Sequence, residues 1–240
     1  MRFGNREVSP DIRMLSGITD VVYDRAWLSD AEDAELYYMY RDLYLSRRDR
    51  ELITQHGLRY DITVIPPRML GVEYVKTLGH HHPNIPDAGL SYTEIYEVLE
   101  GEAHYLIQKG RDTVEDVAVF KAGKGDKVII PPDYGHVTIN PSNKVLKMSN
   151  WVCGDFSSFY GPYEEKKGAA YFEIEGCEFV KNQHCADAPE IRFLKPTNFS
   201  EFGLKKGKEM YGLIREDPSL LRYLTAPQEF PSLFEKVLRR

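Results

Sequence analysis

Between Leu58 and Tyr163 the chain is interrupted too often for long helices to propagate. Short runs rich in β-branched, aromatic and aliphatic residues recur there: Arg59 to Ile65, Val72 to Thr77, Glu94 to Leu99, Ala103 to Gln108, Val114 to Phe120, Lys127 to Ile130, His136 to Asn140 and Leu146 to Val152. Turn formers separate them, namely Pro66-Pro67, Gly101, Lys109-Gly110, Gly123-Lys124-Gly125, Pro131-Pro132 and Pro141-Ser142-Asn143. Short strands at this spacing specify a mainly β unit, an antiparallel sandwich or barrel. The barrel core is expected over residues 58–163. Residues 1–57 read as an N-terminal extension contributing strands to it, and residues 164–240 as a trailing strand with a helical C-terminal extension.

The flanks are less regular. Ser29 to Glu35 is expected to open a short helix, with Ser29 or Asp30 as N-cap. Leu36 to Tyr40 and Leu43 to Leu45 carry β-type residues up to a charged turn at Arg47 to Glu51, where Arg47-Arg48-Asp49-Arg50 reads as solvated surface. Glu209 to Ile214, Pro218 to Leu224 and Pro231 to Leu238 read as short helices lying on the barrel or at a subunit contact, because they hold too few apolar residues to bury a core of their own.

A net charge of -6 argues against a nucleic-acid partner. No apolar run approaches the roughly 20 residues that span a bilayer, and the N-terminus lacks the apolar stretch of a secretory signal. Cys153, Cys177 and Cys185 are an odd number without zinc-type spacing, which suits reduced thiols and a cytoplasmic location.

The chemistry lies in Thr77-Leu78-Gly79-His80-His81-His82-Pro83 and in Glu94-Ile95-Tyr96-Glu97. Residues i and i+2 of a strand share a face, so His80 and His82 can present two imidazoles to one ion while His81 turns away. Glu94 can add a carboxylate oxygen, and His136 arrives after the Gly125 and Pro131-Pro132 turns. Three imidazoles and a carboxylate suit one divalent metal with open positions: Fe2+ first, then Mn2+, Ni2+ or Zn2+. Glu97 is a rival to Glu94 as ligand or base, and Tyr96 shares the face of Glu94.

These residues match the two motifs of the cupin superfamily, whose fold is a double-stranded β-helix or jelly-roll barrel. The first motif is His-x-His, a glutamate, then a glycine seven residues later, here Glu94 and Gly101. The second is Gly125, Pro131, His136 and Asn140. The His82-to-Glu94 interval is longer than usual and implies an inserted loop.

Thr77 to His82, Glu94-Ile95-Tyr96, Pro131 to Asn140, and Asp155 with Tyr160-Gly161 further resemble the cupin-type phosphoglucose isomerases. The likeness runs from about Tyr38 to Gly161, with a looser stretch from Ala169 to Phe179. It implies interconversion of glucose 6-phosphate and fructose 6-phosphate, with Thr63, Thr77, the Gly79 backbone and Tyr160 holding the phosphate; a homodimer is expected because cupin barrels commonly pair by exchanging edge strands. Ser158 departs from the pattern, standing where the better-known members carry a histidine. Alternatives are another metal-dependent cupin enzyme such as a dioxygenase, or a non-catalytic sugar-phosphate-binding cupin.

Overall fold

A computed structural model describes residues 1–196 and 198–239; Thr197 and Arg240, which fall in the expected C-terminal extension, lie outside the described residues. The strands that build the barrel are β1 (Asp11–Met14), β2 (Glu35–Tyr40), β3 (Leu58–Ile65), β4 (Glu94–Glu100), β5 (Glu102–Lys109), β6 (Asp116–Gly123), β7 (Lys127–Ile130), β8 (Tyr134–Ile139) and β9 (Leu146–Cys153). After them come β10 (Tyr171–Ile174), β11 (Glu178–Lys181) and β12 (Arg192–Leu194). The larger sheet has the order β7-β4-β9-β3-β2-β1, and the facing one the order β8-β5-β6-β12. Pairing is antiparallel throughout except between β6 and β12. Because the chain crosses between the two sheets after β4, β6, β7 and β8, it winds as a jelly roll, with the apolar core between the layers. The β10–β11 hairpin pairs with the short Glu73–Tyr74 strand.

The N-terminal extension does join the barrel, through β1 and β2, but its helices differ from expectation. The first helix, α1 (Arg25–Asp30), ends where a helix was expected to begin, and Asp24 caps it by accepting from the Trp27 N–H at 2.9 Å. Asp33 is instead held by the Ser16 N–H and hydroxyl, which leads the chain out into β2. The expected turn at Arg47 to Glu51 is a helix, α2 (Arg47–Gln55), whose cap is Ser46. Leu43 to Leu45 is a loop, tied by Leu43 N–H to the Tyr60 carbonyl and Leu45 N–H to the Tyr211 hydroxyl. Asp49 is no solvated charge: it is buried and takes two hydrogen bonds from Arg215, at 2.8 and 2.7 Å, and one from Tyr211.

The C-terminal extension, with α4 (Leu213–Glu216) and α5 (Pro231–Val237) among several 3-10 turns, covers the outer face of the larger sheet. The Trp151 indole donates to the Met210 carbonyl at 3.1 Å, Thr93 donates to the Tyr223 carbonyl at 2.9 Å, and Glu97 accepts from the Met210 N–H at 2.7 Å. The remaining helix, α3 (Gly161–Glu165), follows the barrel directly. No helix among the described residues is long and apolar enough to cross a membrane.

Glu97 thus faces outward from β4, where Lys127 lies 3.0 Å away with both side chains buried. Removing one partner of a buried pair costs about 3–5 kcal/mol, so K127M should lose stability of that order in urea unfolding, and adding E97Q should restore much of it. A double variant no more stable than K127M would show the pair to be uncoupled.

The Arg215 guanidinium holds the Asp49 carboxyl down to about 2. A depressed carboxylate contributes stability that is complete above its unfolded value of about 4 and disappears as pH falls through the folded value. The stability gap between the wild type and R215A should therefore be constant from neutrality to about pH 5 and narrow towards pH 2. A gap that widens in acid would contradict this origin.

Candidate metal centre and pocket

His80 and His136 form an isolated antiparallel bridge between the incoming loop and β8, so their side chains leave the backbone side by side. Their ring centroids are 4.4 Å apart, and that of His82 is 5.2 Å from His80 and 5.5 Å from His136. Glu94 enters from the neighbouring sheet at the start of β4. One ligand atom from each of His80, His82, Glu94 and His136 lies within 4.8 Å of the others. Bonds of about 2.0–2.2 Å to a shared ion would put such atoms at most about 4.4 Å apart, so a small contraction closes the set.

The hydrogen bonding fits a cation. Glu94 Oε2 sits 3.2 Å from His82 Nε2 and 3.3 Å from His136 Nε2, yet it is buried with no hydrogen-bond partner. A cation shared by these atoms would satisfy that oxygen. The His82 Nδ1 lies 3.1 Å from the Tyr92 carbonyl, which can only accept; Nδ1 therefore carries the proton and Nε2 is free to ligate. Burial pushes the His80 and His136 imidazoles below their usual range, and for His80 the neighbouring histidines push further. Burial would raise Glu94, but the imidazoles of His136 and His82 override it and hold the carboxyl well below its ordinary range. Three imidazoles and one carboxylate are a donor set that binds a divalent ion once deprotonated.

Local sequence explains how the cluster is held. Gly79 has φ +91, and a Cβ on it would come within 2.7 Å of Tyr163 and Val137, so only glycine passes this point on the way to His80. The inserted loop after His82 is pinned where the Ser91 N–H donates to Asp133 and the Asp133 N–H donates to the Ser91 hydroxyl. Arg111 donates to the His82 carbonyl at 2.9 Å and to Asn84 at 3.1 Å. His81 turns away as expected and packs on Tyr163. Asn140 holds backbone, donating to the Ile65 and Lys144 carbonyls.

A pocket of about 650 Å3, counting its open mouth, lies against this cluster. Thr63, Thr77, Gly79, Tyr160 and Ser158 all line it, together with His80, His82, Glu94 and Tyr96. The Tyr96 hydroxyl is 2.9 Å from His136 Nε2, and burial followed by the Glu94 charge keeps it protonated. Glu97 is not brought to the pocket. It is three residues from Glu94 and so on the opposite face of β4, paired with Lys127 under the C-terminal extension. Sequence reading missed Arg41, Arg59, Asp61 and Asn150 in the wall. Counting back by twos along β3 from Thr63 would have found Asp61 and Arg59.

A family model described as glucose-6-phosphate isomerase (GPI) matches residues 12–190. The chain belongs to that family. The glucose-6-phosphate isomerase of Thermococcus litoralis is 29% identical over 159 residues, 65% of this chain and 75% of that protein. That of Pyrococcus furiosus is 28% identical over 158 residues, 65% of this chain and 76% of that one. Among solved structures, a deletion mutant of Bacillus subtilis oxalate decarboxylase overlaps 55% of this chain and 30% of its own, at TM-score 0.38 and 17% identity. The family assignment agrees with the strand order and the His, Glu and Gly spacing, which give a cupin barrel.

The cluster predicts a measurable stoichiometry. Protein loaded with a divalent metal and desalted should carry about one ion per chain by the donor count, and H136A or H82A should lose most of it. Undiminished metal content in both variants would place the ion elsewhere.

Proposed function

We propose that this chain is a metal-dependent aldose–ketose isomerase interconverting glucose 6-phosphate and fructose 6-phosphate, acting in glycolysis and gluconeogenesis in the cytoplasm. The observation that carries this reading is that one pocket is lined by two chemically different sets of residues. One is the imidazole and carboxylate donors. The other, Thr63, Thr77, Gly79 and Tyr160, offers hydroxyl and backbone groups. The Thr77 hydroxyl oxygen already accepts from the Thr138 N–H at 3.0 Å, which leaves its own hydrogen to donate to a phosphate oxygen. The names of the relatives supply the substrate.

A divalent metal at the cluster supplies Lewis-acid stabilisation of negative charge on substrate oxygens. The chain's own residues do the rest. Glu94 is the carboxylate positioned to take a proton from C2 of the open-chain aldose. The C–H electron pair then forms the C1–C2 double bond as the carbonyl pair moves to O1. Return of the proton to C1, with the O2 proton passing to O1, gives the ketose. Glu94 Oε2 is turned to the imidazoles, so Oε1 is the atom assigned to carry the proton. The protonated Tyr96 hydroxyl can donate to a sugar oxygen beside it.

We extend the proposal to a homodimer. Strand β1 is an edge of the larger sheet and its Ile12 is 44% exposed, an arrangement that a second copy would cover. Light scattering checks the dimer; a monomer at every accessible concentration would rule it out.

The function itself is tested by a coupled assay on metal-stripped protein, with Fe2+, Mn2+, Ni2+ or Zn2+ restored in turn. Turnover should appear with metal, and E94Q should lower kcat by about 10²–10⁴-fold while leaving the fold intact. Metal-loaded wild type that fails to convert either sugar phosphate would overturn the substrate assignment.

A further inference from the structure

The pocket wall facing the histidines carries a cation that the reaction outlined above leaves without a task. Val152 of β9 pairs with Glu94 on one side and with Arg59 of β3 on the other. Arg59 and Glu94 therefore stand at one level of the sheet, two strands or about 10 Å apart, and both line the pocket. The Arg59 arm has a fixed direction. Its Nε donates to both oxygens of Asp61, at 3.1 and 2.8 Å, and Asp61 is buried and further held by the Asp42 N–H at 2.9 Å.

Among the described residues, hydrogen bonds engage only the Nε of Arg59; its Nη1 and Nη2 are not used. An ion pair serving Asp61 alone accounts for Nε and for nothing beyond it. Arg41, the other guanidinium in the wall, is occupied by Asp11 and the Met39 sulfur, with its Nη1 3.8 Å from Asp61. Arg59 thus offers two unengaged guanidinium nitrogens at the level of Glu94, the carboxylate beside which C1 and C2 lie in the proposed reaction.

Resting on the isomerase reading, we propose that Arg59 is a further catalytic residue, whose free N–H groups hold the C1 and C2 oxygens while they carry negative charge. Removal of the C2 proton places an electron pair on O1, and the carboxylate of Glu94 stands nearby. A fixed guanidinium offsets that repulsion without reorganising, which is how preorganised donors lower a barrier rather than merely tighten substrate binding. Arginine suits the task because its fork meets two adjacent oxygens at once.

The test uses metal-loaded protein and calorimetry with two probes. One is a five-carbon aldonic acid phosphate, whose carboxylate copies the paired, charged oxygens. The other is a hexitol 6-phosphate, which has the same phosphate and no charge at C1. R59Q should weaken the aldonate about 10- to 100-fold, as expected for lost hydrogen bonds to a charged group, and the hexitol by less than about 3-fold. Its kcat for fructose 6-phosphate should fall while KM stays near the wild-type value. R59K, which keeps the charge beside Asp61 but not the fork, should lie between the two. Equal losses for both probes, or none, would overturn the proposal and leave Arg59 as the anchor of Asp61; R59K distinguishes the same outcomes where R59Q does not fold. Wild type that binds neither probe would overturn the isomerase reading itself, and the role of Arg59 with it.

Discussion

The site depends on one pair of backbone hydrogen bonds, from the His80 N–H to the His136 carbonyl at 3.2 Å and from the His136 N–H to the His80 carbonyl at 3.0 Å. They join the loop that precedes the insertion to β8, and they decide which side chains lie together. Directly paired residues put their side chains on the same face about 5 Å apart, so the bridge by itself sets two imidazoles beside one another. His82 follows two residues later on that face. A slip of a single residue would turn His136 out of the pocket and replace it with Gly135 or Val137. Close packing opposes such a slip: a Cβ at Gly135 would meet the His81 ring at 2.5 Å, so His81 occupies the space that the missing side chain leaves. The exchange of hydrogen bonds between His81 and Phe159 ties the same loop on its other side.

Strand alternation made much of this legible in the sequence. The runs between Leu58 and Val152 became barrel strands, apart from Val72 to Thr77, where only Glu73–Tyr74 is regular. His80, His82, Glu94 and Tyr96 share a pocket because both pairs are spaced by two. The same rule, applied strictly, sends Glu97 outward, where the structure has it. What the sequence could not convey was the distant partner that stabilises an unexpected state. Ser46 capping α2 was readable, but burial of Asp49 within an arginine-rich helix depends on Arg215, 166 residues further along the chain. Arg59 and Asp61 stand in an otherwise apolar run, and charged residues rarely face a barrel interior. They do so here because each answers the other, and because the interior at that level is a pocket.

The C-terminal extension bears on the site through the back of β4. Thr93, next to Glu94, donates to the Tyr223 carbonyl, and Glu97 accepts from the Met210 N–H, so the strand is fastened on either side of the pocket carboxylate. The two glutamates of one strand consequently meet opposite fates. Burial raises Glu97, with the Met210 N–H and Lys127 opposing it, while the imidazoles hold Glu94 well below its normal range. A carboxylate kept ionised at all working pH values is what a metal ligand requires, and its counterpart on the other face serves structure.

The charge of the pocket then raises a question of balance. The chain is acidic, and the proposed substrate is a dianion, so long-range attraction from the protein as a whole does not favour its entry. Attraction must come from nearby groups. Glu94 opposes it, Arg41 is paired with Asp11, and the Arg59–Asp61 pair is neutral at a distance. At contact range that pair is not neutral, because Asp61 is buried while Arg59 keeps unused guanidinium nitrogens at the pocket wall. With a divalent ion at the cluster, this would give a field that is weak outside the pocket and strong at the level of Glu94. Such a distribution favours charge that develops on C1 and C2 during the reaction over charge already present on the incoming phosphate, which hydroxyls and backbone can hold.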